Sequence, residues 1–155
     1  MKIFKIYAIV ASFVMLMVAC GNDKPSDVIY IPIQGNEIGD IERDWKLVSV
    51  NDVEPEFTVY VNFSAGIFSI YQQLYSLNYV SYDGEYSITG KVISGTYFDG
   101  GAWKCSYDGA LSEDGQTLTL VSCDTNPITS VYEACEIPED VITEATRAEV
   151  AERYL

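Results

Sequence analysis

Between residues 43 and 138 the chain alternates apolar and polar positions in short runs, the period of a half-buried β-strand. "FTVYVNF" (57–63) is the clearest: Phe57, Val59, Val61 and Phe63 share one face, and Thr58, Tyr60 and Asn62 the other. "SAG" and then "IFSIYQQ" follow, so these two runs predict a hairpin. Comparable runs are "DWKLVSV", "GEYSITG", "VISGTYF", "AWKCSYDGAL", "QTLTLVSC" and "SVYEACEI". They make eight candidate strands spaced by roughly ten residues. Turn signals separate several of them: "TGK" (89–91), "DGG" (99–101) and "SEDG" (112–115). Asp-Gly supplies the left-handed backbone that tight hairpin loops require. Consecutive hairpins predict an all-β, eight-stranded antiparallel up-and-down meander, which removes its edges by closing into a small barrel. A two-sheet sandwich is the competing architecture.

The pattern changes at both ends. Ile6 to Ala19 carries no charge and as a helix would reach roughly 21 Å, short of a bilayer core about 30 Å thick. Lys2 and Lys5 precede it and small Ala19 ends it, so residues 1–19 read as a secretory signal. The Cys that follows, in "MVACGND", resembles the lipobox of bacterial lipoproteins. That resemblance implies cleavage before Cys20, a diacylglycerol on its thiol, and attachment to the outer membrane, the leaflet remaining open. Residues 20–40, with two prolines and three glycines, read as a tether. Past Pro138, "EDVITEATRAEVAERYL" loses strand alternation. Glu139 and Asp140 toward its start and Arg147 and Arg153 toward its end suit a helix dipole, so residues 139–155 predict a short helix or tail.

"DWKLVSVND", "VNFSAGIFSIYQ", "GEYSITGKVISGTYFDGGAW" and "LSEDGQTLTLVS" occur in that order. Together, over residues 41–138, they resemble the lipocalin-like lipoproteins of Gram-negative envelopes. The resemblance implies a calycin-type barrel in which Trp45 closes one end. The position two before this Trp, Gly in true lipocalins, is Arg43 here.

Composition narrows the function. Removing Lys2 and Lys5 from nine basic residues leaves seven against 23 acidic, a formal charge of −16. Such a surface repels phosphate backbones and argues against a nucleic-acid partner. The chain has no histidine, which removes Ser-His-Asp and Cys-His catalysis and the usual base near neutral pH. Aspartates 83, 99, 108, 114 and 124 sit mostly in turn signals, and no EF-hand spacing occurs. No enzyme, cofactor or metal site is expected.

The most unusual stretch is "YQQLYSLNYVSY" (71–82). A tyrosine has an apolar body and a polar tip, so Tyr71, Tyr75, Tyr79 and Tyr82 suit either a pocket rim or the closure of one barrel end. Two functions follow. In the first, a lipid-anchored barrel holds a small apolar ligand or an envelope glycan without catalysis. In the second, a filled barrel docks an envelope partner through its outside. An open apolar interior of ~300 Å³ or more would favour the first.

Three further thiols face an oxidising compartment. If Glu113, Asp114 and Gly115 form a three-residue loop, Ser112 faces Gln116 and Cys105 lies across from Cys123. Cross-strand Cβ atoms stand ~4.5–5.5 Å apart, a little wider than the ~3.8 Å of a disulfide. A one-residue slip would set Leu118 and Leu120 on the face of Trp103 and Tyr107 and part the thiols. Cys123 with Cys135 is the rival bridge. For the anchor, metabolic labelling with a palmitate analogue is expected to mark the wild type and miss Cys20→Ala; equal labelling of both would exclude a lipid on Cys20.

Overall fold

The computed structural model describes residues 37–74, 77–147 and 152–155; the signal, Cys20, most of the tether, Tyr75 and Ala148 lie outside them. Eight antiparallel strands form a closed ring: β1 (Asp44–Val50), β2 (Thr58–Ser64), β3 (Ile67–Gln73), β4 (Val80–Thr89), β5 (Val92–Tyr97), β6 (Tyr107–Leu111), β7 (Thr117–Ser122) and β8 (Thr129–Cys135). Each pairs with its sequence neighbours, and β1 also pairs with β8, so no edge is left. The chain therefore has the lipocalin-like up-and-down architecture and not a sandwich.

Local chemistry sets the hairpins. Between β2 and β3, Ala65 and Gly66 both take positive φ (49° and 79°), the backbone of a two-residue turn whose twist matches the strands. The Ala65 amide donates to Glu42 Oε1 at 2.9 Å, which helps hold a non-glycine residue there. The β6–β7 loop departs from the expected one. Ser112 pairs with Thr117, not Gln116, and Gly115 takes the positive φ. Asp114 Oδ1 accepts from Ser112 Oγ and from the Gln116 amide. The resulting register sets Leu118 against Leu111 and Leu120 against Gly109, the slip that lets both leucines bury.

That slip also corrects the disulfide assignment. The Cys123 amide donates to Ser106 O, so Cys105 is not its cross-strand partner, and Cys105 and Cys123 are free thiols, as is Cys135. Cys135 ends β8 beside Asp44, away from the turn that was to bring it to Cys123.

Two further differences shape the interior. The expected sixth strand begins only at Tyr107, because Trp103 turns inward after β5 and its amide donates to Gly95 O at 2.9 Å. Gly95 is required there: a Cβ would stand 2.3 Å from the Trp103 ring. After β8, the helix α1 covers only Glu139–Glu144, capped by no side chain and ended by extended Ala145. Arg147 and Arg153 therefore do not serve its dipole. Thr146–Arg147 form β9, parallel to Val80 and Ser81 of β4.

The core is one cluster inside the ring. At one end, the base, Ile38 and Ile41 are buried with Trp45, so the tether expected over residues 20–40 already packs on the barrel at Ile38. Trp45 Nε1 donates to Ile41 O at 2.9 Å, and the Arg43 guanidinium lies over its ring at 5.6 Å. Trp45→Ala should cost ~3–5 kcal/mol, since a large ring is lost from a fully buried place. Urea unfolding measures it, with Tyr79→Ala on the outer wall as the control expected to cost far less; the reverse order would mean that the base is not where the barrel is closed.

Candidate functional site

The opposite end of the barrel, the mouth, is where the chemistry gathers. The β1–β2, β3–β4, β5–β6 and β7–β8 connections lie there, and inside it sits the chain's own segment 152–155. Gln72, inward on β3 and 3% exposed, uses both ends of its amide on that segment. Its Nε2 donates to Glu152 O at 2.6 Å, and its Oε1 accepts from the Tyr154 amide at 2.9 Å. Tyr97 Oη donates to Leu155 O at 2.8 Å. Tyr154 Oη and Ser130 Oγ stand 2.8 Å apart, and the Tyr154 ring packs on Phe57 at 5.7 Å. Leu155 is buried.

Arg153 closes this arrangement toward solvent. Its guanidinium lies 4.1 Å from the Tyr97 ring centroid and 4.9 Å from that of Tyr82. It also pairs with Asp99 through both nitrogens, and those hydrogen bonds hold the Asp99 carboxyl below the usual range. A second pair, Arg147 with Asp83 at 2.7 Å, stands beside it, and Ser69 Oγ donates to the same aspartate. Between the two pairs lies a pocket of about 170 Å³ lined by Tyr82, Tyr97 and Phe98. The two carboxylates beside this pocket, Asp83 and Asp99, are thus each held by an arginine.

Below the tail, aromatic rings meet edge-on: Phe63 with Tyr86 at 4.9 Å, Phe68 with Trp103 at 5.0 Å, and Trp103 with Tyr107 at 5.9 Å. Gly84 makes this possible on β4, since a Cβ there would stand 2.6 Å from the Phe68 ring. Trp103 Nε1 is buried with no hydrogen-bond partner.

The tyrosines singled out on sequence do not form one cluster. Tyr82 points inward and is buried. Tyr71, opposite Tyr60 across β2–β3, and Tyr79, 6.1 Å from Tyr60, lie on the outer wall. A strand separates Tyr71 and Tyr82 onto opposite faces, where a helical turn would have joined them. Gln72, Tyr97, Asp99, Ser130 and Arg153 were not anticipated as a site. Asp99 read as a turn residue and Arg153 as a helix end, and nothing local in the sequence links them. Among the described residues no group of three or more His, Cys, Asp or Glu is placed to hold a metal.

No family model matches the chain, and no curated protein matches it. Among solved structures it is similar to a lipocalin-like protein from Bacteroides uniformis ATCC 8492, at 21% identity and a TM-score of 0.46, over 63% of this chain and 100% of that one. The architecture given above stands on this chain's own strand order.

Burial raises the pKa of Tyr97, Tyr107, Tyr132 and Tyr154. Unfolded tyrosines ionise near pH ~10, so their contribution to stability is complete below that pH and is lost as pH climbs toward the folded values. Tyrosinate absorbance of these rings is expected to appear together with loss of β circular dichroism, starting above about pH 10. Full ionisation of every tyrosine around pH 10 with the barrel intact would mean that the rings are not buried.

Proposed function

We propose that the protein is a lipid-anchored, non-enzymatic component of the outer membrane whose filled barrel docks an envelope partner at its mouth. One observation carries this. The four connections at the mouth each present a large apolar side chain to solvent: Val53 at 66% exposure, Leu77 at 95%, Phe98 at 62% and Ile128 at 45%. Isolated exposed apolar residues need no explanation, but one on every loop of the same end marks an interaction rim. The interior supports the same reading, because Trp103, Tyr97, Tyr132 and Leu155 occupy the space a ligand would need. Concavities of about 460 and 360 Å³ lie elsewhere, lined by residues such as Glu42 and Gln116, or Glu85 and Ser94. The absence of histidine and the arginine-held rim carboxylates support a non-catalytic role. The excess of acidic residues disfavours anionic lipid as the docked surface and favours a protein or neutral glycan.

A second reading, an interior small-molecule ligand, is favoured by the buried Trp103 Nε1. An unmatched buried donor costs about 1–3 kcal/mol, which an acceptor on a ligand would relieve.

Co-sedimentation of the lipid-free Cys20→Ala protein with isolated envelopes tests the first reading. Leu77→Ser with Phe98→Ser should shift stability by only about 0.5 kcal/mol each, as exposed positions do, yet lower the bound fraction several-fold. Unchanged retention would remove the rim from the docking reading. Native mass spectrometry of protein from its own host separates the second: a stoichiometric small-molecule adduct would favour the interior ligand, and the mass of the chain with its lipid alone is expected.

A further inference from the structure

The tail in the mouth is bonded as a ligand is bonded. Three of its contacts are to backbone: Gln72 receives the Tyr154 amide and donates to Glu152 O, and Tyr97 donates to Leu155 O. A side-chain amide used at both ends in this way substitutes for a neighbouring strand and reads backbone, whatever the side chains are. Selectivity comes from three separate places. Arg153 lies on the Tyr82 and Tyr97 rings and against Asp99. Tyr154 meets Phe57 and Ser130. Leu155 enters the buried core. Partners of the tail stand 80, 58, 54 and 24 residues away in sequence, so the seat is built wholly by the barrel and is complete without the tail's own backbone. Gly101 leaves the passage open, because a Cβ there would stand 2.7 Å from Arg153 Nη1.

We propose that the barrel mouth is a recognition site for an extended peptide of basic–aromatic–aliphatic pattern, held in this structure by the chain's own Arg153-Tyr154-Leu155. The inference deepens the docking reading and rests on it: the partner inserts a segment of that chemistry and the apolar rim surrounds its approach. Because the resident tail is part of the same chain, it competes at a high effective concentration. A free peptide therefore binds the unaltered protein weakly, and binds well only when the tail is weakened or drawn out. The seat is then a site that a partner gains by exchange.

The test uses the full chain and a fluorescein-labelled Glu-Arg-Tyr-Leu peptide, read by anisotropy. Leu155→Asp, a change in the tail and not in the seat, is expected to tighten peptide binding at least about tenfold over the unaltered protein, as relief of cis competition requires. Adding Gln72→Ala should abolish it, and a scrambled Leu-Glu-Tyr-Arg peptide should not bind. No saturable binding to a folded Leu155→Asp chain, or equal binding of the scrambled peptide, overturns the proposal. Should Leu155→Asp fail to fold by circular dichroism, the unaltered chain decides: excess peptide should speed hydrogen exchange of the Tyr154 amide, and an unchanged rate rejects the exchange. Loss of envelope binding in the rim variants with no peptide binding would leave the docking reading standing and this inference alone refuted.

Discussion

The constraint on which the rest depends is volume. Eight strands closed into a ring enclose a space that must be filled or left for a guest, and here aromatic rings fill it. Trp45, Phe63, Phe68, Tyr97, Trp103, Tyr107 and Tyr132 are all buried, and many meet edge-on at 4.9–6.5 Å. Rings of that size leave no room for side chains on every facing strand. Gly84 and Gly95 lie where Phe68 and Trp103 press on the wall. The strand sacrifices local propensity at those positions, since glycine weakens a strand, and the core gains the two rings.

Filling with tyrosine creates a second problem. Each ring carries a hydroxyl, and a buried hydroxyl without a partner is destabilising by about 1–3 kcal/mol. The tail answers part of it. Leu155 O accepts a hydrogen bond from the Tyr97 hydroxyl, and Tyr154 brings its hydroxyl to Ser130. Gln72, an amide that would be costly inside an apolar barrel, is satisfied at both ends. The segment therefore does more than occupy space: it completes a polar network that the eight strands leave open.

The strands were legible because their signal is local. Alternation in "FTVYVNF" and "IFSIYQQ" depends only on which face is wet, and β3 has the bounds its pattern predicts. The β6–β7 register was less so. It turned on whether "SEDG" closes over three residues or four, and the Asp114 hydrogen bonds to Ser112 and Gln116 that decide it compete with no obvious loss against the shorter loop. Leucine burial carried the information, in the alignment of Leu118 with Leu111. The mouth was illegible for a different reason. Gln72, Asp99 and Arg153 meet only after closure, and each had an adequate local explanation. The helix dipole claimed Arg153, yet a six-residue helix gains little from charge when its own nucleation is barely repaid. Two aromatic faces and a carboxylate at the mouth outbid it.

The two ends of the barrel are then not equivalent. Chain enters at the base, where the Ile38 amide donates to Gly90 O and Gly109 makes room for the Ile38 side chain. Each of the four mouth connections carries a strongly exposed apolar residue, while the tight turns between β2 and β3, β4 and β5, and β6 and β7 at the base carry none. A lipid on Cys20, as proposed, would pull on the base through the residues before Glu37. With such an anchor the tether would join the barrel at the base, the end opposite the apolar rim and the peptide-like tail. Tension on such a tether would fall first on Ile38, Ile41 and Trp45, which are buried in the core, and not on the seat of the tail. A module that must hold fast at one end and exchange a segment at the other needs that separation of strong from replaceable contacts.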